Sequence, residues 1–299
     1  MTAMPYHSGE IEVQRRAGVR AEADQVGGIV GSALAPGLAR VLGRLPMAVA
    51  ASLDEGGRVW ASLLTGPPGF IQPVDEGLVL MAGPPSPGDP LAGNLEKRSE
   101  LGLLAIDLAS RRRLRLNGRG LLEPDRGVFL AVEQAYGNCP KYVRPRRLEP
   151  TGRGAAAPPG RSAVLTPRQR ALVAAADTFF IASFHPEGGA DASHRGGAPG
   201  FVRVLDERTL AFPDYPGNNM FNTLGNLAAQ PRAGLLFLDF DHGDTVQLTG
   251  RARLEWGPPE LAGPPGTTGV VVTFEVEEAR ENRGGGVRGR LLEYPPANP

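Results

Sequence analysis

The sequence predicts a mainly β protein with short helices, built as two small antiparallel barrels in one chain. Its 299 residues include 41 Gly and 29 Pro, too many for a bundle of regular helices. Short segments rich in aromatic and β-branched residues alternate with Gly-rich turns, as in small barrels. The third observation is an internal repeat, which indicates that one module occurs twice.

The repeat begins with residues 51–70 and 182–201, which align without a gap and are identical at nine of twenty positions. One inserted residue in the second copy then shifts the alignment by a single position. In the shifted register GNLEKRSELGLLAIDL (93–108) aligns with GNLAAQPRAGLLFLDF (225–240). LNGRGLL (116–122) aligns with LTGRARL (248–254) in the same register.

The repeat predicts two modules that pair as an internal pseudo-dimer. The stretch TGRGAAAPPGRS has the composition of a linker, because Gly, Pro and small residues predominate. The predicted organisation is therefore an N-terminal leader with the first module at 1–150, a linker at 151–164, and the second module with a C-terminal tail at 165–299.

The second copy gives the clearest elements. Thr166 is placed to cap a helix that starts at Pro167 and ends near Ala176. A second helix is predicted at 218–229, where Phe221, Leu224 and Leu227 recur every three residues. Beyond about Leu261 we expect a partly ordered tail in which 270–276 is the one strand. The strands before it are predicted at 178–183, 190–193, 200–205, 209–212, 233–240 and 245–254.

Charge and composition exclude several classes of protein. Lys plus Arg and Asp plus Glu each number 32, so there is no excess of basic residues for nucleic acid. The longest apolar stretch, 29–53, is interrupted by Pro and Arg and is not a membrane span. A single cysteine excludes an internal disulfide. We expect a cytoplasmic protein without nucleic-acid or membrane partners.

The second copy resembles the pyridoxamine 5′-phosphate oxidase-like family of FMN-binding split barrels. The motif runs from DASHRGGAPGFVRV to GLLFLDF (191–240) and continues in TVQLTGRARL (245–254). FLAVEQAYGNCPKYVRPR (129–146) and the leader HSGEIEVQRRAG (7–18) are similar to parts of tandem members. The resemblance implies two split barrels with FMN in the groove between them.

The resemblance also assigns candidate FMN-binding residues. They lie on the early strand, after the Gly-Phe turn, at the turn before the short helix, and before the Gly-Arg element. Asn and Thr side chains with free N–H groups at a helix start suit a phosphate. The assigned residues are Ser193, Arg195, Arg203, Pro213, Asp214, Asn218, Asn219, Asn222, Thr223 and Thr245.

The chain departs from the family pattern in one respect. Many members carry an Arg-Lys pair at the start of the short helix, where this chain has no cation. The first copy has Pro90 where the second has Asn222, which predicts one complete site. Two interpretations of NCPKY (138–142) stay open: Lys141 supplies a cation from the other module, or the segment only closes the first barrel. The run 111–113 is interpreted as a solvated hairpin edge.

The resemblance implies an FMN-dependent oxidoreductase that acts on a small molecule, with NAD(P)H or a reductase as electron donor. One alternative is a flavin- or haem-binding module without turnover. Another is a flavin-free tailoring enzyme that uses the same groove. The four histidines show no metal-ligand spacing, and the sequence identifies no catalytic residue. We expect a monomer with an internal pseudo-dimer, or a homodimer.

Overall fold

The first half of the chain forms one antiparallel sheet. The computed structural model describes residues 5–150, 160–257, 266–284 and 286–293. The strand order is β2-β1-β5-β6-β7-β4-β3. The strands are β1 (Met47–Leu53), β2 (Val59–Thr65), β3 (Ile71–Pro73), β4 (Leu78–Ala82), β5 (Glu100–Asp107), β6 (Arg112–Glu123) and β7 (Gly127–Gly137), and β8 (Arg146–Pro150) follows them.

The second half forms a sheet with the same sequence of pairings, β11-β10-β14-β15-β16-β13-β12. The short β9 pairs with β16, and the last strand, β17, pairs with β8 from the first half. The strands are β9 (Gly160–Ser162), β10 (Thr178–His185), β11 (Gly189–Gly196), β12 (Arg203–Val204), β13 (Thr209–Pro213), β14 (Arg232–Asp239), β15 (Asp244–Trp256), β16 (Val270–Asn282) and β17 (Val287–Leu291).

Six short helices complete the described part of the fold. α4 and α6 occupy equivalent places, each between the fourth and fifth main strands of its half. His7 and Thr166 cap α1 and α5 through capping boxes with Glu10 and Gln169. Among the described residues, no helix is long and apolar enough to cross a membrane. The helices are α1 (Ser8–Arg16), α2 (Arg20–Gly27), α3 (Pro36–Leu42), α4 (Leu91–Leu95), α5 (Pro167–Ala175) and α6 (Asn222–Ala229).

The prediction of a mainly β protein with short helices is confirmed, and two elements differ from expectation. The predicted helix at 218–229 begins only at Asn222, because Asn219 and Phe221 have left-handed φ values of 61° and 59°. The C-terminal region carries more structure than the strand expected at 270–276. β16 extends to Asn282 and lies inside the sheet, between β15 and β13.

The two sheets pack together through a shared apolar core. One buried cluster combines β1 and β2 residues such as Val49 with β10 and β14 residues such as Phe180 and Leu236. Each half also has a core cluster of its own. A methyl group on Gly102 would lie 2.4 Å from the Ala190 carbonyl oxygen, so the two backbones nearly touch there. The groove described next lies along this junction.

Candidate functional site

A polar groove runs between the two halves. It consists of two adjoining cavities of about 90 and 100 Å³. Strand β6 and the segment after β7 form one wall, and β11, the segment after β13 and the start of α6 form the other. The residues that line both cavities are Arg115, Asn138, Arg195, Asp214, Tyr215, Gly217 and Asn218.

Arg115 lies at the centre of the groove and joins the two halves. Its guanidinium donates to Asn222 Oδ1 at 2.8 Å and to Ser193 Oγ at 2.5 Å, both in the second half. Its Nε lies 3.2 Å from Asp191 Oδ1. Burial favours loss of the Arg115 proton, but Asp191 and the Tyr136 hydroxyl outweigh burial and raise the pKa of Arg115. Arg115 is therefore a fixed, permanently charged group.

Arg113 is two residues earlier on β6 and so points to the same face of the strand. It donates through Nε to the Cys139 carbonyl at 2.8 Å, and its Nη1 lies 3.2 Å from His194 Nδ1. Burial and the neighbouring Arg115 lower the pKa of Arg113 to about 10. The interpretation of residues 111–113 as a solvated edge is wrong for Arg113, which lies in the groove.

His194 is a neutral side chain in this site. Burial and then Arg113 and Arg195 hold the pKa of His194 well below its usual value. Because Arg113 is a donor, His194 Nδ1 must accept from it, so the ring proton is on Nε2. That Nε2 is buried and has no hydrogen-bond partner within the described protein.

Arg195 and Asp214 are neighbours on the wall that the second half contributes. Arg195 Nη2 lies 4.0 Å from Asp214 Oδ1, and burial lowers the pKa of Arg195 although Asp214 opposes this effect. Burial raises the pKa of Asp214, whose carboxylate accepts from Thr268 Oγ1 at 2.9 Å. The contact between the two is loose, so Arg195 keeps donors that can reach a ligand.

The start of α6 supplies a further set of donors. The N-cap residue Phe221 makes no side-chain hydrogen bond to the first turn. The N–H groups of the first helical residues have no partner inside a helix. Those residues, Asn222, Thr223 and Leu224, all line the groove. The positive end of the helix dipole therefore points toward the same space as the arginines.

Positive charge exceeds negative charge in the groove. Its described lining includes Arg113, Arg115, Arg195 and Lys141 but only one carboxylate, Asp214. Asp191 neutralises part of the charge from behind Arg115. Such a site attracts an anion with several acceptor oxygens, and phosphate fits this donor set.

The equivalent position in the other half is built differently. In the repeat alignment Gln247 replaces Arg115, and Pro90 replaces Asn222. Gln247 Nε2 donates to Asp89 Oδ2 at 2.9 Å, and the Leu91 N–H donates to Asp89 Oδ1 at 2.8 Å. The carboxylate of Asp89 thus occupies the start of α4. The equivalent position therefore has Gln247 in place of an arginine, and the Asp89 carboxylate already accepts a hydrogen bond from the first turn of α4.

Most of the residues assigned from the sequence lie together. Lys141 lines the second cavity, where its carbonyl oxygen is 3.5 Å from Arg113 Nη2. Pro213 is buried at the end of β13, directly before Asp214. The assigned residues that line the first cavity are Ser193, Arg195, Asp214, Asn218, Asn219, Asn222 and Thr223.

Arg203 and Thr245 line neither cavity. Arg203 is exposed on the edge strand β12. Thr245 lies at the beginning of β15, which is the second half's equivalent of β6. In the repeat alignment Thr245 is the counterpart of Arg113. All residues assigned from the sequence except Lys141 belong to the second copy. In the structure, β6 of the first copy forms part of the groove wall.

Several lining residues were not assigned from the sequence. Asn138 lines both cavities, and its buried Oδ1 has no partner among the described atoms. The rings of Tyr142 and Tyr215 stack with centroids 5.1 Å apart, and both line the second cavity. The alternation Arg113-x-Arg115 on a strand was the available signal for two cations on one face.

Comparison with known proteins gives one family match and several structural neighbours. Residues 165–265 match the family model for pyridoxamine 5′-phosphate oxidase. A protein from Clostridium acetobutylicum, related to general stress protein 26 of B. subtilis and assigned to the pyridoxinephosphate oxidase family, is 12% identical. The match covers 42% of this chain and 92% of that one, with a TM-score of 0.30.

The general stress protein 26 of Bacillus anthracis is also similar in structure. It is 9% identical, and the match covers 41% of this chain and 94% of that one, with a TM-score of 0.28. The comparison with curated proteins gave no match.

Proposed function

We propose that this chain is an FMN-dependent oxidoreductase, because residues 165–265 match the family model for pyridoxamine 5′-phosphate oxidase and members of that family commonly bind flavin. FMN binds in the groove between the two halves, and the substrate is a small molecule. The observation that carries this proposal is the convergence of Arg115 and Arg195 on the uncapped start of α6, with Arg113 in the adjoining cavity.

The residues present fit the phosphate of FMN. Arg195, the amide of Asn218 and the first N–H groups of α6 offer donors to one small space, where an anion would be held. The unpaired Oδ1 of Asn138 offers an acceptor in the same groove. When bound, FMN supplies the redox-active ring, and the stacked Tyr142 and Tyr215 offer an apolar surface beside it.

The remaining groups in the groove hold the site in place. Asp191 and Ser193 fix the Arg115 guanidinium, so its charge does not reorganise when an anion arrives. Thr223 Oγ1 donates to Ser193 Oγ at 2.9 Å and ties the first turn of α6 to β11. Because no acid–base dyad is needed for flavin redox chemistry, the protein's part is binding and orientation.

We further propose that the halves are tandem split barrels, with modules at 1–150 and 165–299 joined by a linker at 151–164. The identical strand order and the shared core support this arrangement. Residues 151–159 of the linker lie outside the described residues. Since one chain contributes both walls of the groove, the proposed active unit is a monomer with an internal pseudo-dimer.

The test compares two arginines that lie close in sequence. FMN affinity is measured by quenching of flavin fluorescence in the unmodified protein, Arg195→Gln and Arg203→Gln. Arg195→Gln loses the charge-assisted contact, so its FMN binding should be weaker by roughly 1.5–3 kcal/mol, or about 10- to 150-fold. Arg203→Gln should bind normally, because Arg203 is exposed outside the groove. Equal affinities in all three proteins would contradict the site.

Turnover is tested separately on the FMN-loaded protein. Anaerobic addition of NADH or NADPH should bleach the flavin absorbance if the nicotinamide nucleotide is the electron donor. FMN that stays oxidised with both nucleotides and with a general flavin reductase would favour a binding module. A protein that cannot be loaded with FMN would favour the flavin-free alternative.

A further inference from the structure

A separate cavity, of about 250 Å³, lies between α1 and the strands and helix of the groove wall. The carboxylates of Glu10, Asp191 and Glu187 line it, together with side-chain amides that include Asn117, Asn222 and Asn226. Among the described residues that line it, the only basic side chain is His7. Carboxylates therefore outnumber basic groups in the lining of this cavity, the reverse of the proposed FMN groove.

His7 carries no positive charge at neutral pH. Burial and then the stacked ring of His185, 3.7 Å away, lower the pKa of His7 to about 4. His7 Nε2 lies 2.8 Å from Asn226 Oδ1, and Asn226 donates its own amide to Ser183 Oγ. The proton of the neutral ring is thus on Nε2. At neutral pH the charged groups among its described lining residues are therefore carboxylates, of which Asp191 is paired with Arg115.

A buried acceptor on one of the lining residues has no donor. Asn117 is 5% exposed, and its Oδ1 has no hydrogen-bond partner within the described protein. Its Nδ2 donates to Gln134 Oε1 at 3.2 Å and to Asp191 Oδ1 at 3.3 Å. Inverting the amide would place its oxygen against two other oxygens, so the present orientation is the favourable one. A buried acceptor without a donor is costly, and a ligand N–H would remove that cost.

We propose that this cavity binds the primary ammonium group of a small organic molecule. An ammonium group has three donors and no acceptor, which suits the Glu10 and Asp191 carboxylates and the free oxygen of Asn117. Its charge balances carboxylates that are otherwise only partly neutralised. The site goes beyond the FMN proposal and does not depend on it.

Binding of an ammonium group can be detected as a release of protons from Glu10. Burial raises the pKa of Glu10 to about 7, opposed by hydrogen bonds from the His7 N–H and from Asn222. The charged groups that face it from other elements are Asp191 on β11 and Arg115 on β6. An ammonium ligand favours the carboxylate form, so its binding near pH 7 should release protons.

The experiment is calorimetric titration of the protein without FMN, using n-butylamine, which is protonated at pH 7. Neutral n-butanol serves as the matched probe without charge. Titrations in two sulfonate buffers of different ionisation enthalpy give the number of protons released. We expect saturable binding of butylammonium, weaker or no binding of butanol, and proton release that disappears in Glu10→Gln.

Two further variants make the result specific. Asn117→Leu keeps the size of the side chain but removes the free oxygen, and it should weaken butylammonium binding by roughly tenfold or more. Thr249→Val alters the counterpart of Asn117 in the repeat alignment, outside the cavity, and should leave affinity unchanged.

The proposal is overturned if butylammonium fails to bind, if butanol binds equally well, or if Asn117→Leu retains normal affinity while thermal melting shows it folded. Because Arg195→Gln should bind butylammonium normally, failure of the FMN site and failure of this site are distinguishable.

Discussion

Glu10 carries a carboxyl group into a mostly buried position beside Asn222. Its pKa in the folded protein, about 7, lies above the ordinary value of 4.5. The folded protein therefore holds a proton between these two pH values that the unfolded chain releases. Its contribution to stability is greatest below about pH 4.5 and is lost as the pH rises to about 7.

The resulting prediction compares Glu10→Gln with the unmodified protein. As the pH rises from 4.5 to 8, the unfolding free energy of Glu10→Gln should increase by roughly 3 kcal/mol relative to that of the unmodified protein. Urea unfolding at several pH values measures it. Because His7 is present in both proteins, its own titration largely cancels in this difference. A difference that is constant with pH would contradict the burial of an ionisable Glu10.

Arg115 and Asp191 form a buried ion pair whose partners are 7% and 4% exposed. Arg115→Met removes one charge and leaves the other buried, so we predict a loss of roughly 3–5 kcal/mol in unfolding free energy. Adding Asp191→Asn to the same chain should recover part of this loss. Urea denaturation at pH 7 measures both, with Arg203→Met as an exposed control. An Arg115→Met protein as stable as the control would show that the pair is solvated.

The grouping of candidate site residues in space was predictable for part of the motif in the second copy. Ser193, Arg195 and Asn222 follow one another in the second copy and lie together in the groove. Arg115 was missed because its partner Ser193 is distant in the sequence and belongs to the other sheet. Spacing along one strand does not indicate which half of a paired fold faces it.

At the scale of elements, α1 and α6 cross with their backbones in close contact. A methyl group on Gly9 would lie 2.3 Å from the Gly225 carbonyl oxygen, and one on Gly225 would lie 2.6 Å from Glu10. Gln14 Nε2 also donates to the Met220 carbonyl at 2.9 Å. The N-terminal helix thereby supports the left-handed turn that precedes α6.

This crossing predicts opposite effects for two equivalent glycines. Gly225→Ala should destabilise the protein by roughly 1–3 kcal/mol, because α1 cannot move away without losing its contacts. Gly93, the counterpart in α4, has no atom within 4 Å of a methyl group there. Gly93→Ala should stabilise the protein by roughly 0.5–1 kcal/mol through helix propensity. Thermal unfolding measures both, and equal effects would contradict the crossing.

Strands were predicted better than the elements around them. The Thr178–His185 strand follows from its aromatic and β-branched residues, which favour a pleated, half-buried surface. β16 was underestimated beyond residue 276, where two consecutive glutamates, Glu277 and Glu278, stand between the buried Val276 and Ala279 and the pairing with β15 shifts register. Glu277 is exposed and Glu278 forms ion pairs with Arg58 and Arg280, so polarity alone understated the strand.

At the scale of the whole molecule, the two halves share a core across their junction. Gly102 and its counterpart Gly234 both lie where the opposite half approaches, at Ala190 and Val59 respectively. β8 and β17 pair across the halves as well. Neither half can therefore unfold without exposing apolar surface of the other.

We predict a single cooperative unfolding transition for the whole chain. Differential scanning calorimetry should give one peak, with calorimetric and van't Hoff enthalpies that agree. Near- and far-ultraviolet circular dichroism should report the same midpoint. Two resolved transitions, or a stable fragment of residues 1–150, would show that the halves fold independently.

The capped start of α4 has a consequence for how this protein could change over evolutionary time. In a pair of identical chains every substitution appears in both grooves at once, so neither groove can be remodelled alone. Here Gln247 donates to Asp89 at one position, while Arg115 and Asn222 line the groove at the other. A single chain with two unequal halves can retain one ligand site and leave the other half free to specialise as scaffold.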